Sequence, residues 1–224
     1  MCKLILYGME VSPPTRAVIL TLKALNVPFE FKIVDLFANE QHTPEFRCIN
    51  SEGTVPVIDD NGHIVTDSHA INCYLANKYG KDEGDSLYPR DPMKRSVVDQ
   101  RLYYDMGVAF ERILRATARP ILQENNYEIP QYKIDNIASV YETVNNFLRH
   151  KPYVAGVHLT IADFSLITTI ISMAVFLEID TSKYPKLSTW MKNLEKLPYF
   201  KEANSKGAVE FSDYMKARNL KIVP

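Results

Sequence analysis

Ser12, in the run Val11-Ser12-Pro13-Pro14-Thr15-Arg16, is the first residue along the chain whose type and setting could do chemistry. It stands between a strand-like run and a helical one, where an N-cap belongs, with Pro13 at the first helical position. Capping is one reading of its hydroxyl. The other follows from what the prolines remove. Pro13 and Pro14 have no N–H, so this helix start lacks two of the donors that normally receive an anion, and the Ser12 O–H is the best local donor left. Gly53-Thr54-Val55-Pro56-Val57 places a proline at the opening of a strand, which is normally an edge or a special site. X-Pro bonds are cis in only ~5–6% of cases, so spacing does not establish a cis bond here. A cis bond would turn the Val55 N–H and C=O outward, where they could pair with an extended peptide as an added strand. Thr66-Asp67-Ser68-His69-Ala70 opens a helix that Thr66 or Asp67 can cap. The same arrangement suits an amino-acid head group. The helix N-terminus would receive its carboxylate and Asp67 its ammonium.

Two further constellations read as structure first. Thr160-Ile161-Ala162-Asp163 is a capping box with Asp in the place of Glu, and Leu159 and Phe164 are spaced as a hydrophobic staple. The charges Arg95, Asp99, Arg101, Asp105, Glu111, Arg112, Arg115 and Arg119 form mostly a solvated helix face. Tyr103, Tyr104, Phe110, Phe211, Tyr214 and Met215 would line an apolar pocket or fill the core.

The elements that must position these residues fall into two unlike stretches. Up to residue 79 the expected order is β-α-β-α-β-β-α. Strands are predicted at Lys3–Tyr7 and Phe29–Val34, helices at Pro14–Leu25 and Thr43–Cys48, a hairpin at Val55–Asp59 and His63–Thr66, and a helix at Ser68–Tyr79 with Gly80 as its stop. The polar, turn-rich residues 81–90 read as a linker. Beyond them no strand is expected. A long helix over Asp91–Arg119, buried through Leu102, Met106, Ala109, Ile113 and Ala116, should end at Pro120. Ile129–Leu148, Thr160–Leu177, Leu187–Leu197 and Val209–Arg218 are further helices. The expected domains are therefore 1–80, α/β, and 91–224, all-helical, joined by 81–90.

Composition narrows the chemistry. The chain has 224 residues with 26 Lys and Arg against 27 Asp and Glu, a net charge of -1. That argues against nonspecific nucleic-acid or acidic-membrane binding as its main task. Its 8 glycines are about half the usual share of ~7%. They make no GxG dinucleotide fingerprint, no P-loop and no G-x-S-x-G elbow. Cys2, Cys48 and Cys73 are odd in number and form no CxxC, which favours a reducing compartment over a disulfide framework. His42, His63, His69, His150 and His158 include no HExxH and no pair at helical spacing, so no metal site is expected. The opening residues are too short for a signal-peptide core. The uncharged run Phe164–Leu177 is too short to span a bilayer, so a cytoplasmic protein is expected.

The strand–loop–helix start with x-Pro-Pro-x is similar to the C-P-x-C loop of thioredoxin and glutaredoxin. Here hydroxyls, Ser12 and Thr15, stand at both cysteine positions, so thiol–disulfide exchange has no protein thiolate at this loop. Taken with Thr54-Val55-Pro56, Asp67-Ser68-His69-Ala70-Ile71, Leu87-Tyr88-Pro89, the Thr160–Asp163 box and Leu197-Pro198-Tyr199, residues 3–218 resemble a cytosolic glutathione transferase. The wording around Ser12–Arg16 and Gln100–Asp105 is most similar to the insect delta and epsilon classes, epsilon above all.

The resemblance implies a thioredoxin-like N-terminal domain, an all-α C-terminal domain and glutathione as co-substrate. Gln41, His42, Gly53, Thr54, Val55, a cis Pro56, Asp67, Ser68 and His69 would bind it. Ser12 would stabilise its thiolate, and Met9, Val11, Pro13, Val108, Glu111, Arg112, Arg115 and Phe211 would surround a small hydrophobic electrophile. The enzyme would be a detoxifying transferase, with dehydrochlorination or peroxide reduction as side activities. The alternative is a non-catalytic carrier or partner-binding protein on the same fold. The resemblance also implies a homodimer, with His69, Arg95, Arg101 and Tyr103 as candidate contacts. Three positions depart from the family pattern. Gly53 stands where epsilon members usually carry His, Gln41 (with His42 beside it) where they often carry His, and Asp67 where the acid is usually Glu.

Overall fold

A computed structural model describes residues 4–80 and 87–224. Most of the expected linker, residues 81–86, lies outside the described residues, as do Cys2 and Lys3. The chain begins as a four-stranded sheet in the order β2-β1-β3-β4, built from β1 (Leu4–Gly8), β2 (Phe29–Ile33), β3 (Val57–Asp60) and β4 (His63–Thr66). β1 runs parallel to β2 and antiparallel to β3, and β3 antiparallel to β4. The hairpin turns on Asn61-Gly62, both at positive φ, the two-residue loop whose twist matches paired strands. β3 starts at Val57 and not at the expected Val55, because Pro56 brings no N–H to a ladder.

Helix α1 (Pro13–Ala24) packs against α3 (Ser68–Tyr79) and against α7 (Ile161–Met173), the buried central helix of the C-terminal half. α2 (Pro44–Arg47) is one short turn. The fold is a thioredoxin-like domain followed by a helical one; a large hydrophobic core runs from Leu4 through α1 and α7 to Met215, and a smaller cluster gathers Val34, Phe46 and Val57. α7 opens on the expected capping box. The Asp163 carboxylate, fully buried, accepts from the Thr160 N–H at 2.8 Å. It also accepts from the Val154 N–H and the Trp190 indole, each at 2.9 Å, tying the 151–160 loop and α8 (Pro185–Leu194) to α7.

The long helix differs from expectation in two ways. It runs as α4 (Pro92–Tyr104), a widened π-helical stretch (Asp105–Arg115) and α5 (Ala116–Gln123), straight through Pro120. Pro120 leaves the Ala116 carbonyl without its helical donor, and the Lys133 ammonium supplies one at 2.7 Å. The widened turns also shift the buried face. Asp105, Ala109, Ile113 and Thr117 point inward, and Met106 and Ala116, expected inside, are exposed. A strand pair is the second surprise after residue 91. β5 (Glu128–Pro130) lies parallel to β6 (Lys221–Val223), too short for any alternation to betray it. The remaining helices are α6 (Gln131–Phe147) and α9 (Lys206–Lys216), the latter preceded by a widened turn at Lys201–Ser205. Among the described residues no helix is long and apolar enough to cross a membrane.

Candidate active site

The start of α1 uses up its backbone donors. Pro13 and Pro14 have none, the Thr15 N–H reaches the Ser12 Oγ at 3.4 Å, and the Arg16 N–H reaches the Ser12 carbonyl at 3.1 Å. Ser12 is therefore the cap of α1. A serine hydroxyl has two acceptor lone pairs and one O–H, so capping occupies a lone pair and leaves the O–H to donate elsewhere. The two readings of Ser12 are compatible in one geometry.

Ser12 lines a cleft of about 270 Å³ between the two halves of the chain. Val11 and Pro13 flank it, as expected. The loop after β2 contributes Leu36, Phe37, Asn39 and Gln41. The opposite wall is Phe110, Leu114, Arg115, Ala118, Leu122 and Gln123, with Phe211 and Tyr214 from α9. The Phe37 and Tyr214 rings stack across the domains at 4.3 Å.

Four expected lining residues stand elsewhere. Met9 packs on the core, and its carbonyl accepts from the Ser12 N–H. Val108 also packs on the core. Glu111 and Arg112 are exposed and do not line the cleft. Glu111 acts on the cleft only through Arg115, which it grips with both carboxylate oxygens at 2.9 and 3.1 Å. Of the other apolar candidates, Tyr104 and Met215 are core and Tyr103 faces outward.

Below the cleft, Asp67 caps α3, accepting from the His69 and Ala70 N–H groups at 2.9 and 3.0 Å. Burial would raise its carboxyl pKa, but those bonds and the His69 ring outweigh it and hold it below the usual value. The His69 ring turns toward the protein, 2.9 Å from Asp105 Oδ2, and does not line the cleft. Burial opposes its charge, but hydrogen bonds to Asp105 and Asp67 win and push its pKa up to about 9. Asp105 Oδ1 is buried without a donor among the described residues. Arg95 and Arg101 each make contacts within the chain. Arg95 lies on the Tyr88 ring and bonds the Pro89 carbonyl, and Arg101 lies on the Phe147 ring and bonds the Val154 carbonyl.

The Val55–Pro56 bond is cis, and Val55 lies outside the strand ladder that begins at Val57. Thr54 is fastened by the Asn50 amide at both its carbonyl and its hydroxyl.

Sequence comparison completes the picture. Residues 6–83 match the family model for the glutathione S-transferase N-terminal domain, and residues 104–198 match that for the C-terminal domain. The chain belongs to the glutathione transferase family. Glutathione S-transferase D6 of Drosophila melanogaster is 38% identical over 198 residues, 86% of this chain and 87% of that protein. An epsilon-class glutathione S-transferase from the housefly, Musca domestica, is 51% identical with a TM-score of 0.96, covering 98% of this chain and all of the other. A glutathione transferase homologue from Drosophila mojavensis, solved with bound glutathione, is 49% identical at a TM-score of 0.96, over the full length of both chains. The likeness to insect delta and epsilon glutathione transferases therefore extends from motifs to the whole fold.

Within this glutathione transferase, the departure at Gly53 has a structural basis. Gly53 sits at φ +64°, and a Cβ there would fall 2.8 Å from both the Gln41 carbonyl and His42 Nδ1. The His42 ring occupies the space that a side chain at position 53 would enter. Gln41 is buried with its side-chain oxygen lacking a donor among the described residues.

Several cleft residues were not anticipated. Leu114, Ala118 and Leu122 form a helical stripe, but it crosses Pro120, where the helix was expected to stop. Leu36 and Phe37 sit in a loop folded by Asp35, whose Oδ1 accepts from the Phe37 and Ala38 N–H groups.

Proposed function

We propose that this chain conjugates the glutathione thiolate to small apolar electrophiles, with Ser12 donating its O–H to the thiolate. The observation that carries this reading is the start of α1. Every local backbone donor there is absent or occupied, and one O–H that no acceptor among the described residues takes lines the cleft. A free thiol has a pKa of about 8.5 and reacts as the thiolate. A donor aimed at the charged form lowers that pKa. Ser12 is then a stabiliser of the nucleophile and not itself a nucleophile.

Glutathione would lie along the thioredoxin-like domain. Asp67 and Ser68 at the N-terminus of α3 would meet its γ-glutamyl ammonium and carboxylate. The Val55 backbone would pair with its cysteinyl residue. Gln41, His42, Gly53 and Thr54 would hold its glycine end, with the unpaired Gln41 oxygen as an acceptor for an N–H. The acceptor substrate would occupy the apolar wall formed by Val11, Pro13, Phe110, Leu114 and Phe211. Dehydrochlorination and peroxide reduction would draw on the same thiolate. A homodimer would use the face that carries the exposed Met93 and Tyr103. A reducing, cytoplasmic setting suits a reaction that consumes a free thiol.

The test is conjugation of a chloronitrobenzene by glutathione, with Ser12→Ala beside the unaltered protein. Turnover that falls in Ser12→Ala with glutathione binding kept supports the proposal. Glutathione binding without turnover in the unaltered protein overturns it in favour of a carrier. Full activity in Ser12→Ala leaves an enzyme but removes Ser12 from its mechanism.

A further inference from the structure

The loop that carries Ser12 is gripped from the C-terminal half of the chain, and the grip centres on Arg16. This guanidinium is wholly buried, a state tolerated only when its donors are satisfied, and all five are. Nη1 donates to the Glu10 and Val11 carbonyls, each at 3.0 Å. Nε donates to Asn204 Oδ1 at 2.9 Å, and Nη2 to Ser172 Oγ at 2.7 Å and the Thr168 carbonyl at 3.4 Å. With the Ser12 N–H on the Met9 carbonyl at 3.0 Å, the carbonyls of all three residues before Ser12 are fixed.

One short segment adds to this grip from the far side. The widened turn Lys201–Ser205 and the first turn of α9 present Asn204, Lys206 and Gly207 together. Asn204 is 2% exposed and sets the plane of the Arg16 guanidinium. Lys206 pairs with the Glu10 carboxylate at 3.0 Å. Gly207 lies directly on the Glu10 peptide, where a Cβ would fall 2.0 Å from the carbonyl oxygen and 2.4 Å from its carbon. Such a contact requires glycine and fixes how near α9 comes to the Ser12 loop. Widened helical turns of this kind are frequent at functional sites.

We infer that Asn204 and Gly207 are positioning residues for Ser12, so that the C-terminal domain sets how strongly the Ser12 hydroxyl stabilises the bound thiolate. A hydrogen bond weakens steeply when its donor is displaced or tilted. A few tenths of an ångström at Glu10 therefore pass to the thiol through two rigid peptides. The inference rests on the proposed role of Ser12 and adds the source of its placement.

The pKa of the bound glutathione thiol, followed by its ultraviolet thiolate absorbance against pH, tests it. Asn204→Ala, Asn204→Asp and Gly207→Ala are compared with Ser12→Ala and the unaltered protein. Asn204→Ala and Gly207→Ala are expected to raise the thiol pKa by ~0.5–1 pH unit, about threefold to tenfold less thiolate in acid. The KM for glutathione should stay within about twofold. Asn204→Asp, which keeps an acceptor for Arg16 Nε, should restore the pKa. A merely structural role would lower stability and leave the thiol pKa where it was. If Gly207→Ala does not fold, the Asn204→Ala and Asn204→Asp pair decides. An unchanged thiol pKa in folded Asn204→Ala, with Ser12→Ala shifted, overturns the inference alone. An unchanged pKa in Ser12→Ala overturns it together with the reading beneath it.

Discussion

The charged His69 ring should make the protein lose stability in mild alkali, and replacing Asp105 by Asn should flatten that fall. The His69 ring lies 2.9 Å from Asp105 Oδ2 and 3.6 Å from Asp67 Oδ1. Its pKa rises from 6.5 to about 9, against the cost of burial, because of hydrogen bonds to Asp105 first and Asp67 second. The fold thus favours the protonated ring. Its contribution is complete below about pH 6.5 and is lost as pH climbs toward about 9. A rise of this size corresponds to about 3 kcal/mol at most. Asp67 is half exposed and its share is screened, whereas Asp105 is buried, so Asp105 carries the larger part, about 2 kcal/mol. Urea unfolding at matched protomer concentration, at pH 6 and pH 9.5, measures it. The unaltered protein should lose about 2 kcal/mol more than Asp105→Asn across that interval. Equal losses in the two proteins would show that His69 is not charged by Asp105, and the clamp at the start of α3 would be wrong.

Asp163→Ala should cost about 3 kcal/mol or more, or abolish soluble expression, because the buried donors of Val154, Thr160 and Trp190 each lose their acceptor. Its carboxyl, pushed up to about 6 by burial, makes the opposite case to an exposed acid. The fold prefers it protonated, so Asp163→Asn should weaken the loss of stability between about pH 4 and pH 6, read by the same unfolding assay. Phe37→Ala removes one ring of the stack over the cleft and should raise the KM for an aromatic acceptor several-fold while leaving that for glutathione unchanged. Gly53→Ala forces a side chain into positive φ and against His42. It should lower stability by about 1–2 kcal/mol and raise the glutathione KM, measured by thermal unfolding and steady-state kinetics.

The first domain was legible because its signals are local. The apolar run of β1, the alternation in β2, the Asn61-Gly62 turn, the Ser12 and Asp67 caps and the Gly80 stop each announce themselves within a few residues. α3 was expected at Ser68–Tyr79 and lies there. The second domain hides its decisions in tertiary contacts. Pro120 stops an isolated helix, but here Lys133, on another helix, takes the freed carbonyl of Ala116. No pattern reveals the widened turns over Asp105–Arg115, and they turned Glu111, Arg112 and Met106 outward. Arg16 looks like any charged residue near a helix start. Its burial depends on Asn204 and Ser172, some 188 and 156 residues further along. The site showed the same division. Ser12, Asp67 and Val55-Pro56 were proposed from motifs, whereas the stack of Phe37 and Tyr214 exists only once the two halves meet.

The most direct measurement is the pKa of glutathione bound to the unaltered protein and to Ser12→Ala. A hydrogen bond to a charged group is worth about 1.5–3 kcal/mol, or about one to two pH units. The bound thiol should therefore titrate well below the free value of about 8.5, and Ser12→Ala should return it most of the way. The same pKa in both proteins, with glutathione demonstrably bound, would contradict a thiolate held by Ser12.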